Sequence, residues 1–210
     1  MPNRTLTLAA TFAVLLTLFA GGCINAPLGD PEKSAASEKL NGWYLAGTPG
    51  PLVYVLAYDP RTYLITLYSY EGDGAKAKLQ SRTTCKAWMT SVAGMDVLCC
   101  KMIDPEWDFY FPGSVHFYFR IRRPDGPDPS AREVTVLNDN FLGQAKTPEE
   151  LAKMITDNLK NPELWRKEFG PIVLHRATDK ERENIEKLIR ALSPPLQEPF
   201  QFLDYLHDIH

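Results

Sequence analysis

Residues 115–122 read VHFYFRIR and alternate without a break. Phe117, Phe119 and Ile121 share one side, and His116, Tyr118, Arg120 and Arg122 share the other. Successive side chains of a strand point to opposite faces, so this run predicts a half-buried strand of an antiparallel sheet. Residues 51–58 (PLVYVLAY) and 62–70 (TYLITLYSY) are rich in β-branched and aromatic residues and flank the turn Asp59-Pro60-Arg61. They read as a hairpin. In the second run Tyr63, Ile65 and Leu67 oppose Leu64, Thr66, Tyr68 and Tyr70, which predicts a strand covered on both faces. Residues 76–84 alternate weakly and read as an edge strand. Residues 132–137 return after a proline-rich loop to pair with 115–122. Residues 86–101 carry two readings. Ala87, Trp88, Val92, Met95 and Leu98 suit one side of a short helix, whereas 97–102 suits a strand.

The last third carries helix signals. Thr147-Pro148-Glu149-Glu150 is a capping box with proline at the first helical position, followed by Leu151, Met154, Ile155 and Leu159. Leu164, Trp165 and Phe169 follow Pro162 as a short apolar plug. Thr178 and Glu181 start a second helix, with Ile185, Leu188, Ile189 and Leu192 on one face and Pro194-Pro195 as the stop. Phe200, Leu203 and Leu206 suggest a third over 197–209. Strands first and helices after predict an α+β fold: an antiparallel β-sheet in the N-terminal and middle parts, packed by two or three C-terminal helices. Gly42-Trp43-Tyr44 is similar to the triplet that opens lipocalin barrels, without the intervening residue; the C-terminal helices argue against a barrel here.

A net charge of -3 argues against a nucleic-acid partner. Arg4 precedes an apolar run over 6–20, LTLAATFAVLLTLFA. This has the length of a signal-peptide core and falls short of the roughly 20 residues of a spanning helix. It ends at Ala20-Gly21-Gly22-Cys23, which resembles the lipobox of bacterial lipoproteins, with Ala20 where that family usually has leucine. The resemblance implies removal of residues 1–22, acylation of Cys23 with palmitate-type chains, and anchoring in a membrane. Ile24, in place of the aspartate that retains such proteins in the inner membrane, implies the periplasmic face of the outer membrane. Residues 23–40 then read as lipidated cysteine and flexible tether, and 41–210 as one α+β domain.

Cys85, Cys99 and Cys100 remain for chemistry. An exported chain can oxidise them, and closing a loop of about 15 residues stabilises by roughly 3 kcal/mol. Strand parity puts Cys99 and Cys100 on opposite faces, and the expected disulfide joins Cys85 to Cys99 or Cys100, with Cys100 the preferred partner and the other left in the core. No Cys-x-x-Cys, P-loop, Gly-x-Gly-x-x-Gly or His-Glu-x-x-His motif is present, so no cofactor or metal is expected. Asp104, Glu106 and Asp108 lack the glycine and terminal glutamate of a calcium loop. Two functional readings follow. The leading one is a non-enzymatic envelope lipoprotein that binds an envelope protein or glycan, using its aromatic residues or the basic cluster Arg120, Arg122 and Arg123. The alternative is a hydrolase or acyltransferase using Cys85 or Cys100 as nucleophile and His116 as base.

Overall fold

Ala93 and Gly94 both adopt positive φ, at 51° and 77°. That pair is a tight, two-residue turn whose twist suits an antiparallel hairpin. It reverses the chain between β4 (Lys78–Val92) and β5 (Met95–Met102), with Trp88 opposite Cys99 and Ala87 opposite Cys100. The region with two readings is therefore strand on both sides of the turn. In the computed structural model residues 26–46, 51–71, 78–103, 116–167 and 170–191 are described.

The other strands are β1 (Gly42–Leu45), β2 (Leu52–Ala57), β3 (Tyr63–Glu71), β6 (His116–Arg122), β7 (Arg132–Val136) and β8 (Ile172–Arg176). Each pairs antiparallel with the next, and β8 returns to β1 through Tyr44 opposite Arg176 and Leu45 opposite His175. The sheet is a closed eight-stranded barrel. This overturns the expected α+β sheet packed by C-terminal helices. Three features misled. Residues 86–101 bury side chains on both faces, which imitates a helical stripe. Residues 78–84, read as a separate edge strand, are the start of a long β4 that pairs with β3 along this stretch and with β5 from Cys85 onward. The short β8 sits between two helix signals and closes the ring. A closed barrel is the architecture that the Gly42-Trp43-Tyr44 triplet suggested and the helices argued against.

The helices lie outside the barrel. They are α1 (Asp139–Leu142), α2 (Pro148–Asp157) and α3 (Asp179–Ala191). Both capping signals operate. The Thr147 hydroxyl accepts from the Glu150 amide at 3.2 Å, and the Glu181 carboxylate accepts from the Thr178 amide at 2.9 Å. The expected third helix, 197–209, falls outside the described residues. Leu151 and Ile155 of α2, with Leu142 and Leu164, cover Trp88, Val97, Cys99 and Tyr118 on the outer wall of β4–β6. Ile185 and Ile189 of α3 cover Trp43, Leu52 and Tyr68 on β1–β3.

The segment read as a tether lies against the barrel from residue 26 onward. Ala26 and Leu28 are buried in the outer wall. Tyr118 Oη donates to the Ala26 carbonyl, and Trp88 Nε1 donates to the Leu28 carbonyl at 2.8 Å. The chain then crosses one end of the barrel. The Ala36 amide donates to Pro60 O at 2.8 Å, the Ser37 amide to Tyr63 Oη at 2.7 Å, and the Ala57 amide to Asn41 Oδ1 at 2.6 Å. Arg176, the last residue of β8, fastens this crossing by donating to Asn41 O at 2.6 Å.

The left-handed backbone at Ala93 costs an alanine about 1–2 kcal/mol. Asparagine tolerates that region and with Gly94 makes the favoured Asn-Gly turn. Ala93→Asn is expected to raise unfolding stability by about 0.5–1 kcal/mol in urea titration; a loss of stability would mean that the β4–β5 turn is not left-handed.

Candidate functional site: the barrel lumen

Alternation assigns one face of every strand to the interior. Val55, Leu67, Met89, Phe117, Phe119, Ile121 and Leu174 pack against an inner cluster that includes Tyr44, Val53, Tyr63, Ile65, Cys85, Ala87, Leu98 and Cys100. The first seven remain only half-buried. On the opposite face of the same wall Val97 and Cys99 are fully buried, and Tyr118 is 2% exposed. The outer wall beneath the helices is thus drier than these inner positions. Inner side chains of a closed barrel meet solvent near its ends or where they do not fill the interior. An eight-stranded barrel is at the size where the interior is either filled by side chains or holds one small ligand.

The lumen is graded along its axis. At the end crossed by the N-terminal segment, Tyr44 Oη donates to Leu40 O at 3.0 Å, and Tyr63 is buried beside it. Burial pushes the Tyr44 hydroxyl above its ordinary pKa. Asp96, Arg132 and Arg176 occupy inward register positions near this same end. The middle is apolar. Toward the opposite end Ser69, Ser81 and Thr83 take inward positions beside Val53, with Ser69 opposite Ser81 and Leu67 opposite both Val53 and Thr83.

The cysteines follow parity. Cys85 and Cys100 face the lumen, and Cys99 faces the outer cluster. All three are thiols in the structure. Burial raises Cys99 to about 12 and Cys100 well above the ordinary thiol range. His116 faces outward, its ring 5.9 Å from that of Trp88. The wall of the barrel therefore lies between His116 and the two cysteines offered as its nucleophiles, and the structure does not bring them together. Low-pKa, accessible thiolates are what cysteine catalysis uses, and burial here drives Cys100 the other way.

The basic cluster is engaged in the wall. Arg122 grips Glu133 with Nε and Nη2 at 2.6 and 2.9 Å. Arg120 donates to Thr135 Oγ1 at 3.2 Å, and its guanidinium lies 4.5 Å over the Trp165 ring. Arg123 is exposed. Among the described residues no group of three or more His, Cys, Asp or Glu is placed to hold a metal. Cys23 and the acidic run Asp104, Glu106 and Asp108 lie outside the described residues. Val55, Met89 and Leu174, which line the lumen, escaped sequence reasoning. The usable signal was bulk on both faces of β3, which a barrel with outer helices demands. No family model, curated protein or solved structure matches the chain.

Two measurements probe this wall. With reductant present, Cys99 and Cys100 of the folded protein are expected to resist iodoacetamide at about pH 8 and to react once guanidinium unfolds the chain; rapid labelling of either in the folded state would contradict its burial. The Arg122 hydrogen bonds hold the Glu133 carboxyl below its ordinary pKa. A depressed carboxylate pKa stabilises above the unfolded value of about 4.3 and the benefit is lost as pH falls through the folded value. Glu133→Gln is expected to abolish this part of the acid dependence of thermal unfolding; an unchanged acid limb would show that Glu133 is not held low.

Proposed function

We propose that this chain is a non-enzymatic, lipid-anchored envelope protein whose barrel binds a small apolar molecule in its lumen. The observation that supports the reading is the incomplete burial of Phe117, Phe119, Leu67 and Leu174 on the inner face of a closed barrel. Ligand sites are concave, largely apolar, and carry a few polar groups that fix orientation. The middle of the lumen and the hydroxyls at its far end match that description. The partner class is thereby a small molecule, where composition alone suggested an envelope protein or glycan. The anchor at Cys23 and the outer-membrane location rest on the lipobox resemblance, and belong to the same proposal. Intact-mass analysis of membrane-extracted protein is expected to show loss of residues 1–22 and added acyl mass.

An exported location brings the Cys85–Cys100 disulfide with it as a proposal. Both sulfurs face the lumen from adjacent strands, and non-reducing peptide mapping is expected to recover the joined peptides; recovery of two alkylatable thiols would remove the bridge.

An environment-sensitive apolar dye tests lumen binding. The wild-type protein is expected to bind it with saturation at one site. Phe119→Asp, which places a carboxylate in the lumen, is expected to weaken binding at least tenfold, about what an unpaired buried charge demands. Val173→Asp, on the exposed outer side of β8, is expected to leave binding unchanged. Equal effects of the two variants would contradict the reading.

A further inference from the structure

Two inward arginines stand at the crossed end of the lumen. Arg132, the first residue of β7, lies opposite Leu174, and Arg176, the last of β8, lies opposite Tyr44. Leu174 and Tyr44 both belong to the inner face. Arg132 donates through Nη1 to Pro129 O at 3.0 Å and to Ala131 O at 2.7 Å. Arg176 donates through Nη2 to Asn41 O at 2.6 Å and through Nη1 to Lys39 O at 3.4 Å. These partners are neutral carbonyls, and among the described residues neither guanidinium meets a carboxylate. A guanidinium carries five N–H donors, so each arginine keeps donors for a further acceptor.

The two charges converge. Burial raises the pKa of the Tyr44 hydroxyl, and Arg176 and Arg132 both pull it back down. Gly42 leaves Arg176 room to fold toward β1, since a Cβ there would lie 3.3 Å from its Nε. One inward carboxylate shares this end: Asp96, opposite Ser91, is exposed and pairs with neither arginine. Two positive charges against one negative leave a single positive charge in excess. The apolar lining begins beside them. Leu174 faces Arg132, Ile121 faces Val134 two residues further along β7, and Phe119 follows Ile121 on the same side. The crossing segment is fastened largely to another part of the rim, at Ala57, Pro60, Tyr63 and Met89 of β2–β4 and the turn between β2 and β3.

We infer that the lumen takes a straight-chain monocarboxylate, its carboxylate held by Arg132 and Arg176 at the crossed end and its chain running inward past Leu174, Ile121 and Phe119. This rests on the lumen reading and names the ligand class. A carboxylate presents two acceptor oxygens that match guanidinium donors. Its single negative charge balances the one positive charge in excess, where a dianionic phosphate would exceed it.

Displacement of the apolar dye from the full chain at about pH 8, where carboxylates are ionised, tests it. The competitors are decanoate, decanol, decylamine and decyl phosphate, which share one tail. Decanoate is expected to bind about tenfold more tightly than decanol, the order of what a hydrogen bond to a charged group contributes. It is also expected to exceed decyl phosphate, with decylamine the weakest. Arg176 also fastens the crossing, so Arg132 carries the mutational test. Arg132→Gln is expected to shrink the decanoate-to-decanol ratio severalfold. Asp96→Asn, which removes the inward carboxylate at this end, is expected to enlarge it, a gain that a loosened fold would not give. Equal binding of decanoate and decanol, or a ratio that neither substitution moves, would overturn the carboxylate site while leaving the lumen reading standing. Tighter binding of decyl phosphate would overturn the carboxylate as head group. Failure of the dye itself to bind would remove the lumen reading, and this inference with it.

Discussion

The pairing of β8 with β1 is the contact on which the rest of the structure depends. It is short, with Tyr44 opposite Arg176 and Leu45 opposite His175, yet it turns an open sheet into a ring. Without it both strands would present unpaired edges. Arg176 adds a second fastening by donating to the Asn41 carbonyl, and so couples closure of the ring to the segment that crosses one end. Strand pairing, end covering and the inward placement of Tyr44 meet at this one residue.

Closure also divides the large side chains between two environments. Trp43, Tyr68, Trp88 and Tyr118 face outward and are buried beneath helices or the N-terminal segment. Phe117, Phe119 and Ile121 face inward and stay half-buried. Apolar burial is thus shared between the two faces: α2 and α3 bury the outer wall, and Tyr44, Tyr63, Ile65, Ala87, Leu98 and Cys100 are buried inside. The inner wall is left with apolar surface that a ligand can still remove from water, at about 25 cal/mol per Å². A barrel with a buried outer wall can leave part of its interior unfilled without losing the fold.

Local chemistry made parts of this legible in the sequence. The capping residues Thr147 and Thr178 announced α2 and α3, and the alternation of 115–122 announced β6 with its inward Phe117, Phe119 and Ile121. Long-range closure was not legible. It depends on residues 172–176, a stretch too short to show its period and one that closes the ring 130 residues away in sequence from β1. The β4–β5 hairpin was hidden for a different reason. Ala93 is an unusual occupant of a left-handed turn, and bulk on both faces of 86–101 obscured the period-two pattern. The site suffered most. A lumen exists only once the ring is closed, so its lining, drawn from seven of the strands, has no local signature.

The account stands or falls on an unfilled apolar lumen in a closed barrel. A crystal structure of the protein soaked with a brominated long-chain alcohol tests it most directly, because anomalous scattering locates the bromine without assumption. The predicted result is a bromine peak inside the ring, among Phe119, Leu67 and Leu174. Bromine found only on the outer surface, with those three side chains meeting to fill the interior, would contradict it.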